Sequence, residues 1–304
     1  MTVRIGFYVL SCALLLSSCV TALAQQTADV HFNTRVEKPA YSKNYPRVMF
    51  DEAHNNFHTA SGRYKPFAEL LFSDGYQVVA NRKPFAKESL KTFKVLVIAN
   101  ALGAEDMDED GADQPAFSKE EAEAVHDWVR DGGSLLLIAD HAPFGAAAES
   151  LAQRFNVTMS KGWVRDPEHI QPGGRSLVFS RENKLLLDHP ITQGRNETER
   201  INRVQTFTGQ ALKGAEGAMS FLKLGERATD SPDPTSEQGV SVAGQSQGLA
   251  IKFGKGRVVM MGEAAMLSAQ VTGADNRPMG MNVPGSDNKQ LVLNIMHWLT
   301  GLLK

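Results

Sequence analysis

The feature that most constrains the fold is a series of short, wholly apolar runs separated by amphipathic segments. Val95–Ala99 and Leu135–Ala139 contain no polar residue, and Ser118–Arg130 between them carries its apolar residues on one helical stripe. Strands without polar alternation are buried on both faces, as in parallel sheets covered by helices. The pattern therefore predicts an α/β fold with a mostly parallel central sheet.

Ser118–Arg130 carries the clearest helix signal in the chain. Ser118 and Glu121 have the spacing of a capping box, and Gly132-Gly133 follows the last turn. Further helices and strands of the α/β pattern are predicted at Tyr64–Ser73, Ala147–Phe155, Val48–Phe50 and Tyr76–Ala80.

The pattern becomes weaker after about residue 156. Gly254-Lys255-Gly256 between two apolar runs predicts a β-hairpin, Gly248–Phe253 with Arg257–Met261. Thr229–Gly239 is rich in Ser, Pro, Asp and Gly and is predicted to be an exposed loop. A closing helix is predicted at Lys289–Leu303, with a buried face formed by Leu291, Ile295, Trp298 and Leu302. Shorter strands are predicted at Leu177–Phe179, Val204–Phe207 and Ala218–Leu222.

Residues 1–24 have the pattern of a secretory signal. Arg4 precedes the apolar stretch Ile5–Ser18, which is short for a membrane span. Two processing routes are open: a lipobox ending at Cys19, or cleavage after Ala24. The sequence therefore predicts a periplasmic protein or a membrane-anchored lipoprotein of the bacterial envelope. Residues 25–44 are predicted as an extended leader and residues 45–304 as one α/β domain.

Composition excludes several classes of site. Both cysteines, Cys12 and Cys19, lie in the predicted signal, so residues 25–304 hold no disulfide, cysteine nucleophile or thiolate metal site. The net charge of −2 and the lack of a basic run argue against nucleic acid as a partner. Membrane association is expected only through an N-terminal lipid anchor.

The chain resembles the class I glutamine amidotransferase-like superfamily, and specifically exported bacterial proteins with such a domain. The resemblance rests on Val48–Gly62, Trp128–His141, His189–Thr192 and Gly256–Glu263. It implies a flavodoxin-like three-layer sandwich, here with a C-terminal β-hairpin and a closing helix. Working amidotransferases use a cysteine in the turn after a strand. Here Leu135–Ala139 leads into Asp140-His141 instead, so glutamine hydrolysis by the family mechanism is not expected.

The dense polar segment Asp51–Thr59 directly follows the first predicted strand, Val48–Phe50. If it turns helically, the i,i+4 spacing places His54 and His58 on one face as ligands of one metal. Asn55 stands where a zinc metalloprotease has glutamate, so that chemistry is not indicated. The alternative is a loop in which these side chains satisfy the backbone of a turn.

Further polar residues follow other predicted strands. Asp140 and His141 lie where a doubly wound sheet opens its ligand crevice, and Glu263 follows Arg257–Met261. Asp140 could instead cap a helix, and Glu263 a turn. The predicted catalytic residues are His54, His58, Asp140, His141 and Glu263. The predicted ligand-binding residues are Asp51, Asn55, Asn56, Tyr64 and Asn100. The predicted ligands of a divalent metal, zinc or manganese, are His54, His58 and Asp140.

Two other motifs favour plain structural interpretations. Asp106, Asp108, Asp110 and Gly111 match half of a calcium loop, but Phe117 replaces the expected glutamate, which favours a solvated acidic loop. Gly244–Gly248 matches the nucleophile-elbow pattern, but a strand follows it where a helix is required. His126 and His297 are predicted to be structural.

Two functions remain open from the sequence. The first is an exported hydrolase in which the histidines and carboxylates bind a metal or perform acid–base chemistry. The alternative is a binding module without catalysis, which holds a sugar, a peptide or a small polar ligand. An assembly domain ranks behind both, because no exposed apolar surface can be identified from the sequence.

Overall fold

The computed structural model describes residues 26–171, 174, 176–236 and 238–304. The predicted signal and both of its processing sites lie outside these residues. Within them, every helix is too short or too polar to cross a bilayer.

The described part of the chain alternates strands and helices up to residue 152 and is mostly β-structure afterwards. The helices are α1 (Lys65–Ser73), α2 (Lys87–Leu90), α3 (Lys119–Arg130), α4 (Phe144–Ala152), α5 (Pro190–Gln193) and α6 (Asn288–Leu299). The strands are β1 (Thr27–Ala28), β2 (Arg47–Asp51), β3 (Gln77–Asn81), β4 (Val95–Ala99), β5 (Ser134–Ile138), β6 (Val157–Met159), β7 (Trp163–Arg165), β8 (Val178–Ser180), β9 (Arg203–Gln205), β10 (Leu212–Gly214), β11 (Met219–Lys223), β12 (Thr229–Ser231), β13 (Val240–Ser241), β14 (Ser246–Phe253), β15 (Gly256–Met261), β16 (Ala269–Thr272) and β17 (Arg277–Gly280).

A large central sheet organises the molecule, in the order β3-β2-β4-β5-β15-β14-β10-β6, with β11 also paired to β14. The first five strands are parallel. Their chain order is 2-1-3-4-5, one of the two common orders of doubly wound sheets. The predicted α/β class with a large central sheet is confirmed. The predicted hairpin is β14–β15, and it starts an antiparallel extension of the sheet.

The apolar strands separate two cores, which explains their lack of polar residues. Along β4, Val95 and Val97 face one core, whereas Leu96 and Ile98 face the other. Helices α1 and α6 cover the first face, and α3 and α4 cover the second. Each strand residue therefore loses contact with water, at a gain of roughly 25 cal/mol per Å² of buried apolar surface.

Two predicted helices differ from the structure at their ends. The helix predicted at Ala147–Phe155 begins at Phe144, and its last part is a 3₁₀ turn, Gln153–Phe155. The closing helix α6 ends at Leu299, so Leu302 is not part of a buried helical face and is 38% exposed. Gly301, with φ of +85°, follows this end, as expected where a helix terminates.

Three further small sheets complete the fold within the described residues. One of them, β13-β12-β7, corrects the prediction that Thr229–Gly239 is entirely a loop, because Thr229–Ser231 pairs with Trp163–Arg165. In the predicted leader, β1 pairs with β16. Tertiary pairing thus orders segments whose local sequence favours turns.

Candidate functional site

The polar residues predicted at strand ends do lie at the carboxyl edge of the parallel strands, but they form two separate groups. Asp51, the last residue of β2, forms a hydrogen bond with His54, and these residues belong to the first group. Asp140 and Glu263 follow β5 and β15 and form the second group. The carboxyl edge of the sheet therefore holds two distinct polar groups.

The first group is a buried chain of hydrogen bonds centred on His54. Its Nδ1 lies 2.9 Å from Oδ2 of Asp51, and its Nε2 lies 2.8 Å from Oε1 of Glu121 on α3. The amide of Asn56 donates to the same Asp51 oxygen. Rings of Phe85 and Phe117 lie 4.6 and 4.8 Å from the imidazole, so water is largely excluded.

The charge of His54 follows from these contacts. Burial alone would lower the pKa of His54, but the hydrogen bonds and charges of Asp51 and Glu121 outweigh it and raise that pKa. Glu121 also accepts from Ser118 in the predicted capping box, which is confirmed. Sequence reasoning identified this cap but not the second partner of Glu121, because Glu121 and His54 are distant along the chain.

The three predicted metal ligands, His54, His58 and Asp140, do not form a group of ligand atoms within 4.8 Å of one another in the described structure. Both ring nitrogens of His54 are bonded to carboxylates, which leaves no lone pair for a cation. Among the described residues, ligand atoms grouped within 4.8 Å occur instead on α3, at Glu123, His126 and Asp127. The two carboxylates of that cluster already pair with arginines, Arg154 and Arg130.

His58 lies in a different environment from His54. The helical spacing assumed for the pair does not occur, because Asn55 has a left-handed φ of 47°. The His58 ring is 2% exposed, packs 4.7 Å from the Tyr64 ring, and has a buried Nδ1 without a partner in the described structure. Burial, together with the nearby Arg63 charge, lowers the pKa of His58 to about 3. This ring is therefore neutral near pH 7.

Glu263 and Asp140 form a second buried carboxyl pair. Glu263 is fully buried and accepts from the backbone N–H groups of Ala265 and Met266, at 2.9 and 2.8 Å. It therefore caps the turn after β15, one of the two roles considered for it. Burial, and next the charge of Asp140, raise the pKa of Glu263 well above its ordinary value.

Asp140, the other member of this pair, is fixed in the turn after β5 and does not cap α4. Its Oδ1 accepts from the backbone N–H of His141 at 2.8 Å and lies 3.4 Å from the hydroxyl of Thr208. Asn100 supports the turn, because its side-chain oxygen accepts from the Asp140 N–H. Tyr64 donates to the Ala264 carbonyl. Asn100 and Tyr64 thus hold the backbone around the carboxyl pair in place. Asp140 itself is 7% exposed.

His141 is the half-buried member of the group. Its Nδ1 lies 2.8 Å from the carbonyl oxygen of Ala142. A carbonyl can only accept, so Nδ1 carries the proton and Nε2 of the neutral ring keeps its lone pair. The imidazole stacks on Trp163 at 5.0 Å between centroids, with an interplanar angle of 20°.

A cavity of about 370 Å³ adjoins this group, and Trp163 and Thr208 are part of its wall. Sequence reasoning missed it, since Trp163 lies outside the strong strand pattern and the other wall was predicted to be a solvent-exposed loop. The remaining wall includes Val164, Arg165, Ile170, Ser231, Asp233 and Ser236. The cavity thus offers an aromatic ring, hydroxyl groups and charged groups close to Asp140 and His141.

Comparison with known proteins finds similarity in structure only. No family model matches the chain, and no curated protein does. The mmIFT52 N-terminal domain is a similar solved structure, with a TM-score of 0.58 and 13% identity. The match covers 84% of this chain and 97% of that domain. At this identity the match shows a shared fold alone.

Two bacterial structures overlap less closely. A ThuA-like protein from Bacteroides uniformis has a TM-score of 0.47 and 13% identity, over 89% of this chain and 95% of its own. A ThuA-like protein from Parabacteroides merdae has a TM-score of 0.47 and 14% identity, over 87% of this chain and 91% of its own. Neither match assigns an activity to this chain.

Proposed function

We propose that the protein is an amidotransferase-like domain that binds a small polar ligand, a carbohydrate or comparable polyol, in the cavity beside Asp140. One observation carries the proposal: the Thr208 hydroxyl lies 3.4 Å from the Asp140 carboxylate and also lines the cavity. A ligand hydroxyl in the cavity would therefore meet Thr208, and Thr208 in turn contacts the almost buried Asp140 carboxylate.

The rest of the cavity suits the same class of ligand. Trp163 supplies a broad apolar ring, which can cover the C–H face of a sugar. Ser231 and Ser236 supply hydroxyl groups that fix orientation. An exported protein with such a pocket would bind its ligand in the bacterial envelope, as a periplasmic protein or a lipoprotein.

Acid–base hydrolysis is the second candidate, and the fixed tautomer of His141 favours it. An Nε2 lone pair next to a polar cavity has the form of a general base. Zinc or manganese at this edge would need Asp140 and His141 as ligands, since the contacts of His54 exclude that residue.

Isothermal titration calorimetry with a panel of mono- and disaccharides tests the proposal. Trp163→Ala should weaken binding by about tenfold, the loss of one aromatic contact, and Thr208→Val should also weaken it. Tyr45→Ala, which removes a half-exposed aromatic ring elsewhere, is the matched control. Equal affinity in Trp163→Ala and wild type, or no binding across the panel, would overturn the proposal. If wild type forms a hydrolysis product from one of these saccharides and His141→Gln does not, hydrolysis would be favoured over binding alone.

A further inference from the structure

Strand β3 forms one edge of the central sheet, and two of its residues present unpaired backbone groups. Gln77 donates its N–H to Pro46, and the carbonyl of Asn81 accepts from Glu52, so both ends of β3 bond inward. Alternate residues of a strand face the same neighbour. The N–H and C=O groups of Val78 and Ala80 therefore point away from the sheet, and no described residue bonds to them.

This edge lacks the usual protection. Natural edge strands are interrupted by charges, prolines or bulges, or are kept very short. Gln77–Asn81 has five residues without a charge or proline, and Val79 is 37% exposed. The opposite edge, β6, has only three residues. An uncovered strand like β3 is expected to pair with another chain.

An open apolar groove of about 540 Å³ lies beside β3 and extends to α1. Phe72, which is 76% exposed, forms part of it. Its apolar wall also includes Ala60, Ala68, Val78 and Ala80. Two acidic and two basic residues, Glu52, Glu69, Lys65 and Arg82, complete the lining. The groove thus combines an apolar wall with charged residues that carry no net charge.

We propose that β3 pairs antiparallel with β3 of a second copy of this chain, with Val79 on the two-fold axis. In this register Val78 lies opposite Ala80 of the second copy, and each such pair exchanges both of its N–H···O bonds. The two-fold axis repeats that exchange, because a C₂ interface is self-complementary. Equal numbers of acidic and basic residues let the two grooves meet without net repulsion, which favours a second copy over a strongly charged partner.

Sedimentation velocity on the protein, as purified from an expressing bacterium, tests this pairing. Wild type should sediment as a dimer. Ala80→Pro removes an outward N–H and no bond within the chain, so we expect the dimer Kd to rise about tenfold or more. Phe72→Lys should have a similar effect. Val240→Lys changes an apolar residue of the same exposure, 76%, and should leave the dimer intact.

Circular dichroism checks that each variant is folded. A wild type that stays monomeric at the highest attainable concentration would overturn the proposal. So would a dimer that persists in both Ala80→Pro and Phe72→Lys, since its interface would then lie elsewhere. Recovery of a different protein bound at this edge, with the chain itself monomeric, would equally exclude the second copy as its occupant.

Discussion

The imidazole of His54 and the carboxylate of Glu121 are 67 residues apart in sequence and 2.8 Å apart in the fold. This contact joins the loop after β2 to the first turn of α3. Asp51 contacts the other ring nitrogen, Nδ1, so the loop is held by hydrogen bonds on both sides of the imidazole. Such a chain stabilises the strand-end loop and removes His54 from any direct contact with a ligand.

His54 should stabilise the protein most at mildly acidic pH. Its folded pKa is raised above the ordinary value of 6.5, so its contribution is complete below pH 6.5 and is lost as pH rises through the folded pKa. We expect His54→Gln to lower the free energy of unfolding by about 3 kcal/mol near pH 6, because the buried carboxylate of Asp51 and the half-buried carboxylate of Glu121 lose their partner.

Urea denaturation at several pH values measures this difference. The gap between wild type and His54→Gln should narrow above pH 6.5. His31→Gln, at an exposed histidine, is the control and should show no such trend. A gap that widens with rising pH would contradict the assignment.

His58 should destabilise the protein in acid. Its folded pKa of about 3 lies below the ordinary 6.5, so the unfolded chain binds a proton that the folded chain excludes. Stability should therefore fall with pH below 6.5, by about 1.4 kcal/mol per pH unit from this group. In His58→Phe, the free energy of unfolding should fall less steeply with decreasing pH, because this contribution is absent. An NMR titration of His58 near pH 6.5 would show that the ring is not buried neutral.

Asp140→Asn should separate stability from binding. The substitution removes a charge beside Glu263, whose pKa is raised by burial and by Asp140, so we expect the free energy of unfolding at pH 7 to rise by about 1 kcal/mol. Carbohydrate binding should weaken, because Thr208, which lines the cavity, loses its contact with a carboxylate. Chemical denaturation and calorimetry measure the two effects. A variant that is both less stable and fully able to bind would count against this account of the site.

Metal content should not depend on His54. Both of its ring nitrogens form hydrogen bonds to carboxylates, so we expect any divalent metal in the purified protein to be held by other residues. Elemental mass spectrometry of wild type and His54→Ala should give the same metal content, including the case of none in either. Stoichiometric metal in wild type that is lost in His54→Ala would instead support His54 as a metal ligand, as the sequence predicts.

Local pattern was sufficient for the parallel half of the fold. The apolar runs of β4 and β5, and the cap of α3, follow from burial on two faces and from hydrogen bonds within one turn. Local pattern does not predict the antiparallel extension beyond the β14–β15 hairpin. Strands such as β10 have only three residues, and distant neighbours decide their pairing.

The sequence by itself determined which residue types stand at the ends of the parallel strands, because strand ends follow directly from the apolar pattern. Tertiary structure alone decided how those side chains are used. It paired His54 with Glu121, left His58 neutral beside Tyr64, and placed Trp163 against His141. These relationships depend on distances between residues far apart in the chain, and periodicity carries no information about such distances.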